Sequence, residues 1–352
     1  NVITQQNYNG LNLSTAVYAI ITNVISQLNQ NHGVAMMSTA SSGGLQWQLN
    51  NVISQSNGAA GFAVNSVAGP GATTLGQWTN IATGYNSSFG MVFQGLAGDP
   101  IANIRITNAF LGQDGNSEIY LNTYDIANSH IFTNIDMELA GTASTGPSGS
   151  TPVSGIGHGF EITANNAMVM ITGGWIHAMS GSGIQSGATG LNVQNCAIMN
   201  NGVNGISIAS GGGVFAQNNR IFNTAGAAQK IGIALAAGST LNSLRNNDLA
   251  GPAGAGNSTA AISNASTALN NVIRDNVGFN PQGTTSIAVG ASPFTYRAGP
   301  TQENVFIIGG TITGLSVGSN GVAGTTNSIV LGPNQTMAVA YSAAPTMVTN
   351  RQ

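Results

Sequence analysis

Charge is what this chain has least of. Of 352 side chains, seven are basic and ten acidic, which is 5% where an ordinary soluble domain has about 25%. Seven scattered Lys and Arg cannot build the basic patch that neutralises phosphates, so nucleic-acid binding is excluded. Long apolar runs are also missing. None reaches the roughly 18 residues of a membrane-spanning helix, so no membrane insertion is expected. A single cysteine, Cys196, excludes a disulfide framework and any Cys-based metal site. Ala, Glu, Lys, Leu and Arg do not dominate, which argues against a helical bundle or coiled coil. Disorder is disfavoured as well, because the chain is 42% hydrophobic with a net charge of −3. The first residues, Asn1-Val2-Ile3, include neither Met nor a signal peptide, and a processed or trimmed piece of a longer protein is expected.

What is abundant is Gly (49) and Asn (43), with much Ser and Thr. These residues fall into a repeat. Ile21-Thr22-Asn23-Val24-Ile25, Leu49-Asn50-Asn51-Val52-Ile53, Ile106-Thr107-Asn108-Ala109-Phe110 and Phe132-Thr133-Asn134-Ile135-Asp136 align. Ile171-Thr172-Gly173-Gly174-Trp175, Val193-Gln194-Asn195-Cys196-Ala197 and Ala216-Gln217-Asn218-Asn219-Arg220 continue the series. Weaker copies stand at Asn246 and Asp275. Asn195 and Asn218 are 23 residues apart, and longer intervals carry Gly/Ser/Pro-rich insertions.

Each unit contains short alternating stretches, such as Gly205-Ile206-Ser207-Ile208-Ala209, and alternation means strand. Three short strands and three turns in about 22 to 25 residues describe a right-handed parallel β-helix. Asn tolerates the left-handed backbone of a sharp turn, and stacked Asn amides can bond as a ladder. Low charge follows from the same stacking, since like charges about 4.8 Å apart repel. The expected fold class is therefore all-β: a parallel β-helix with a small C-terminal antiparallel β-sandwich-like module. The expected divisions are an irregular N-terminal part with the first rungs (1–80), the β-helix (81–282) and the C-terminal module (283–352).

A Gly/Asn-rich β-helix followed by a compact β-module resembles bacteriophage tailspike and tail-fibre proteins of the pectate-lyase-like superfamily. The stretches Val289–Tyr296, Gly309–Thr311 and Tyr341–Met347 are similar to C-terminal modules of phage structural proteins. The resemblance implies an extracellular homotrimer on the virion tail, beside other tail proteins, that binds host cell-surface polysaccharide and often cleaves it. Fold leaves the function open. The alternatives are a non-catalytic structural β-helix of the virion, and a bacterial surface adhesin or secreted polysaccharide-degrading enzyme.

Seven of the ten acids lie between Asp99 and Glu161, and His130, His158 and His177 lie in or just beyond that span. Asp136 and Glu138 flank Met137, which aligns with the inward Ile176, Ile198 and Ile221. They should share the outer face, about 6 to 7 Å apart along the strand. Trp175 falls in the column of Asp136, and His177 in that of Glu138. Two carboxyl groups about 5 to 9.5 Å apart suit glycoside hydrolysis, so Asp136 and Glu138 are the candidate catalytic pair. Trp175 offers a flat platform for a sugar and His177 a proton shuttle. Solvated surface is the plain alternative for the acids, and cover by a neighbouring subunit for Trp175. A second patch groups Glu118, Tyr120 and Glu161, either as further substrate contacts or as ordinary surface. Asn134-Ile135-Asp136 followed by Gly157-His158-Gly159 is in part similar to polygalacturonase-type hydrolases, and it adds His158 to the substrate-binding candidates. The paired aspartates and Arg-x-Lys of those enzymes are missing, so their mechanism is not carried over. Pectate-lyase chemistry uses a calcium-binding carboxylate cluster with a basic base, and Arg105 is the only Lys or Arg in the acidic region. No phosphate-loop motif and no calcium-binding nonapeptide occur. No metal and no other cofactor are expected.

Overall fold

In a computed structural model of the chain, described for residues 2–13, 18–37, 46–66, 73–74, 76–125, 129–141, 156–166, 168–209, 211–224, 229–251, 256–268, 270–279, 284–299, 302–322 and 327–351, every regular element is a strand. Two long sheets run the length of a solenoid. The larger has 13 strands, from Val2–Gln5 to Val272–Arg274, and the other has 10, from Leu11–Asn12 to Ala260–Asn264. Every pairing within both is parallel, between one rung and the next. This is the parallel β-helix that the repeat predicts.

The repeated Asn marks a bend inside the large sheet. Asn23, Asn51, Asn80, Asn108, Asn134, Asn195 and Asn218 all have φ between 53° and 56°. In that region a Cβ is costly, and Asn is among the few side-chain residues that visit it readily. The strand then turns without losing its register. Thr107 pairs with Thr133, and beyond the bend Ala109 pairs with Ile135.

Alternation on each side of the bend fills the interior. Phe132, Ile135, Met137, Ile171, Ile176, Val193 and Ile198 are fully buried, facing Phe93, Ile119, Leu121, Phe160 and Ile184 of the smaller sheet. Phe132 and Phe160 meet edge-to-face at 5.1 Å. Buried amides link the turns: Asn29 donates to Asn57, Asn57 to Asn86, Asn219 to Asn247 and Asn247 to Asn276, each at 2.9–3.0 Å. Each bond satisfies groups that would otherwise lie unpaired in a dry interior.

The described residues from 284 to 351 form two four-stranded antiparallel sheets around a separate core that includes Val305, Leu331, Met337, Val339 and Met347. Glu303 is fully buried there, and it accepts hydrogen bonds from Tyr296 (2.5 Å), Thr349 (2.9 Å) and the Gly299 N–H (2.8 Å).

Candidate functional site

The half-strands beyond the bend present two outward columns. Phe110, Asp136, Trp175, Ala197 and Arg220 stand in one. Gly112, Glu138, His177, Met199 and Phe222 stand in the other. Met137, Ile176, Ile198 and Ile221 point inward between them. Asp136 and Glu138 therefore share one face, and Trp175 and His177 sit on them one rung on, in the register that the repeat predicts.

Glu138, His177 and Trp175 form a connected group, with Asp136 on the rung next to Trp175. His177 Nε2 lies 3.8 Å from Glu138 Oε2, both groups being a little over one-quarter exposed. The Trp175 and His177 rings are 5.4 Å apart at 51°. Trp175 is 48% exposed, enough to offer a ring face to a ligand. Asp136 Oδ1 is buried with no hydrogen-bond partner.

Glycine shapes the surroundings. Gly174, at φ +95°, brings its backbone so close to Ile135 that a Cβ would lie 2.1 Å from the Ile135 carbonyl oxygen. A side chain there is excluded, and Trp175 can stand directly above Asp136. In the Glu138 column the two preceding rungs carry Gly84 and Gly112. The Glu138 side chain folds over Gly112, where a Cβ would come within 2.9 Å of Glu138 Cγ.

Beneath this face lies a feature that the sequence does not announce. Glu118 was expected at the surface with Tyr120 and Glu161, but it is fully buried. It occupies the corner just before the smaller sheet, where Gly33, Gly61, Gly90, Gly159, Gly183 and Gly205 stand in other rungs. Asp114, equally buried, stands where the preceding rungs carry the Asn29–Asn57–Asn86 ladder. Asp114 Oδ1 accepts from the Asn86 amide nitrogens at 2.8 and 2.9 Å, and Oδ2 accepts from Thr83 at 3.0 Å. Burial holds the Asp114 carboxyl above its usual range, with opposition from hydrogen bonds that include one from Glu118. Glu118 is pushed well above its usual range, first by burial, then by the charge of Asp114, and in smaller part by Glu138.

Tyr120 and Glu161 are ladder neighbours, as expected, but on the smaller sheet. Ser117 donates to Glu161 Oε2 at 2.7 Å, and Tyr120 packs on Phe89 at 5.3 Å. Burial lowers the His158 pKa, and its Nδ1 accepts from the Ser182 N–H at 3.0 Å, which leaves the proton of the neutral ring on Nε2. The seven candidates thus divide into a patch of Asp136, Glu138, Trp175 and His177 on one sheet, and Tyr120 and Glu161 on the other, with His158 in the turn before it. His130 is enclosed elsewhere, bonded to Thr123 at 2.9 Å, and burial brings its pKa down to about 4.

Phe110 was not singled out from the sequence. It stands on the rung before Asp136 in the same column and is 48% exposed, as Trp175 is. The repeat that aligned Trp175 with Asp136 aligns Phe110 equally well, so the signal was present. Among the described residues, no group of three or more His, Cys, Asp and Glu side chains is placed to hold a metal ion. Among the described residues, no helix is long and apolar enough to cross a membrane.

No family model matches the chain. No curated protein matches it either. Among solved structures, the chain is similar to the Dettilon tailspike protein at 11% identity and a TM-score of 0.31, over 95% of this chain and 86% of that one. It is similar to the A-module of an Azotobacter vinelandii mannuronan C-5 epimerase at 11% identity and a TM-score of 0.33, over 75% and 91%. A third is the enzymatically active domain of tailspike protein 2 of bacteriophage CBA120, at 11% identity and a TM-score of 0.35, over 97% and 66%. Likeness at this level assigns no residue a role.

Proposed function

We propose that this chain is a phage tail spike or fibre protein that recognises a host cell-surface polysaccharide on the Asp136–Trp175 face and hydrolyses it there. One observation carries the reading. In a chain that is 5% charged, two carboxylates lie two residues apart on an outer face, with an exposed indole and an imidazole on the next rung. Asp136 and Glu138 supply the acid and the base or nucleophile of glycoside hydrolysis. Trp175 carries the sugar ring, and His177 orients Glu138 or relays its proton. Tyr120, Glu161 and His158 are secondary contacts for a long chain. Homotrimeric assembly on the virion tail is part of the same reading. It is supported by apolar side chains left exposed outside this face, among them Tyr18, Ile20, Ile308 and Val330.

The test is release of reducing ends from purified host polysaccharide by wild type, Asp136→Asn and Glu138→Gln. Activity in wild type that both variants lose supports the reading. Equal release by all three removes the site. Binding without release leaves a lectin-like tail protein, and a monomer mass by light scattering removes the trimer.

A further inference from the structure

A groove of about 500 Å³ begins at Asp136 and runs away from Trp175, across the rungs of Phe110, Ala82 and Ile53. One wall is built from the side chains at the bend: Asn134, Asn108, Asn80 and Asn51. Ile53, Ala82 and Phe110 form the other, with Asp136 closing the end. The four rungs are separated by three steps, so the groove extends about 14 Å along the solenoid axis.

Its chemistry is specific. Asn134 donates to Asn108 at 3.3 Å, and Asn80 to Asn51 at 3.1 Å. Asn80 also donates to Asn50 at 3.3 Å, so both of its amide hydrogens are engaged. Each of these bonds uses one of two lone pairs on the accepting carbonyl, so the amides keep acceptor capacity for the hydroxyls of a ligand. The opposite wall is apolar and ends in an exposed ring. No basic residue lines the groove, and its one ionisable group is a carboxylate. A polyanion entering it would meet Asp136, with Glu138 beyond, and no compensating cation. An extended peptide gains nothing there by strand addition, because the strands of the groove already pair on both sides. A neutral glycan chain fits both walls, with hydroxyls against the amides and C–H faces against Phe110, Ala82 and Ile53.

We propose that this groove is the binding track for a neutral polysaccharide, whose chain lies parallel to the solenoid axis and leads its scissile bond to Asp136. The inference rests on the catalytic reading only for the identity of that end. Phe110 and Trp175 then flank Asp136 from opposite rungs, one platform on each side of the bond.

The test is affinity electrophoresis of the full chain in gels containing dextran, mannan or galactan on one side, and alginate or hyaluronan on the other. Retardation by a neutral glycan and by no acidic one is expected. Ala82→Trp fills the groove and Phe110→Ala removes its ring. Each should weaken retardation about tenfold, the scale of one aromatic contact. Unchanged thermal unfolding confirms that both variants fold, and Phe110, being half exposed, is the safer of the two. Retardation by acidic glycans alone, by none of the five, or by a neutral glycan with undiminished strength in both variants overturns the proposal. Cleavage is scored separately with Asp136→Asn. Sugar release that this variant does not reduce removes the catalytic reading while leaving the groove as a binding track.

Discussion

The Asp114 N–H donates to Glu118 Oε1 at 3.4 Å, and both carboxyls are fully buried in a chain with ten acids in all. Two buried carboxyls that feel each other's charge resist carrying two charges. The folded state therefore binds a proton more tightly than the unfolded chain does. The resulting stability is complete below the ordinary carboxylate range and is lost as pH rises through the folded values. Glu118→Gln keeps the shape without the proton. Its stability relative to wild type should climb steadily from about pH 5 upward, reaching a gain of about 1–3 kcal/mol that appears as a rise in unfolding temperature. Scanning fluorimetry from pH 4 to 9 checks this, and a difference that stays flat would contradict a raised Glu118 pKa.

His130 contributes the opposite slope. Its pKa is about 4 in the fold, because burial disfavours the imidazolium. Stability from this group is present above the ordinary histidine pKa and is lost as pH falls from about 6.5 towards 4. The loss is at most about 3 kcal/mol. In His130→Gln the difference from wild type should shift in the variant's favour by that order between pH 7 and pH 4. Denaturant titrations at the two pH values measure it.

The bend and the buried ladder should respond differently to substitution. Asn134 is exposed at φ 53°, so Asn134→Gly should be nearly silent, while Asn134→Val should cost about 1–2 kcal/mol. Asn247 is buried; it donates to Ala216 O and Asn276 Oδ1 and accepts from Asn219. Asn247→Ala should cost about 2–4 kcal/mol by stranding several of those partners. Urea midpoints of the three variants provide the comparison.

Surface and core can be separated at the candidate site itself. Trp175→Ala should weaken glycan retention about tenfold, as one aromatic contact does, with a change in stability below about 0.5 kcal/mol. Met137→Ala, one residue from both acids but fully buried, should cost about 2–5 kcal/mol. Calorimetry beside the binding gel distinguishes the two outcomes.

Cys196 is 2% exposed, and burial pushes its thiol up to about 12. It should resist a thiol reagent in native buffer at pH 8 and react fully in denaturant.

Much of the site's geometry was legible in the repeat. In a parallel, in-register ladder, residues that align in sequence become neighbours in space. Asp136 beneath Trp175, and Glu138 beneath His177, follow from the phase of the Asn column alone. Tyr120 beside Glu161 follows in the same way. Glu118 did not, because it sits at a corner where strand alternation has ended, and its burial depends on the glycines of adjoining rungs. Asp114 reads as a variant of a polar turn, and only the stacked Asn86 amide shows it to be an interior acceptor.

The amino-acid sequence by itself determined the solenoid, the bend at each Asn and the columns on its outer face, because each depends on a periodicity of two within strands and a repeat between rungs. The tertiary structure decided what depends on depth. It placed one buried acid pair under Glu138 and divided the candidates between two sheets. It also opened a groove of amides and apolar side chains leading to Asp136. Depth arises where separate turns pack against one another, and no alignment of a rung with its neighbour records it.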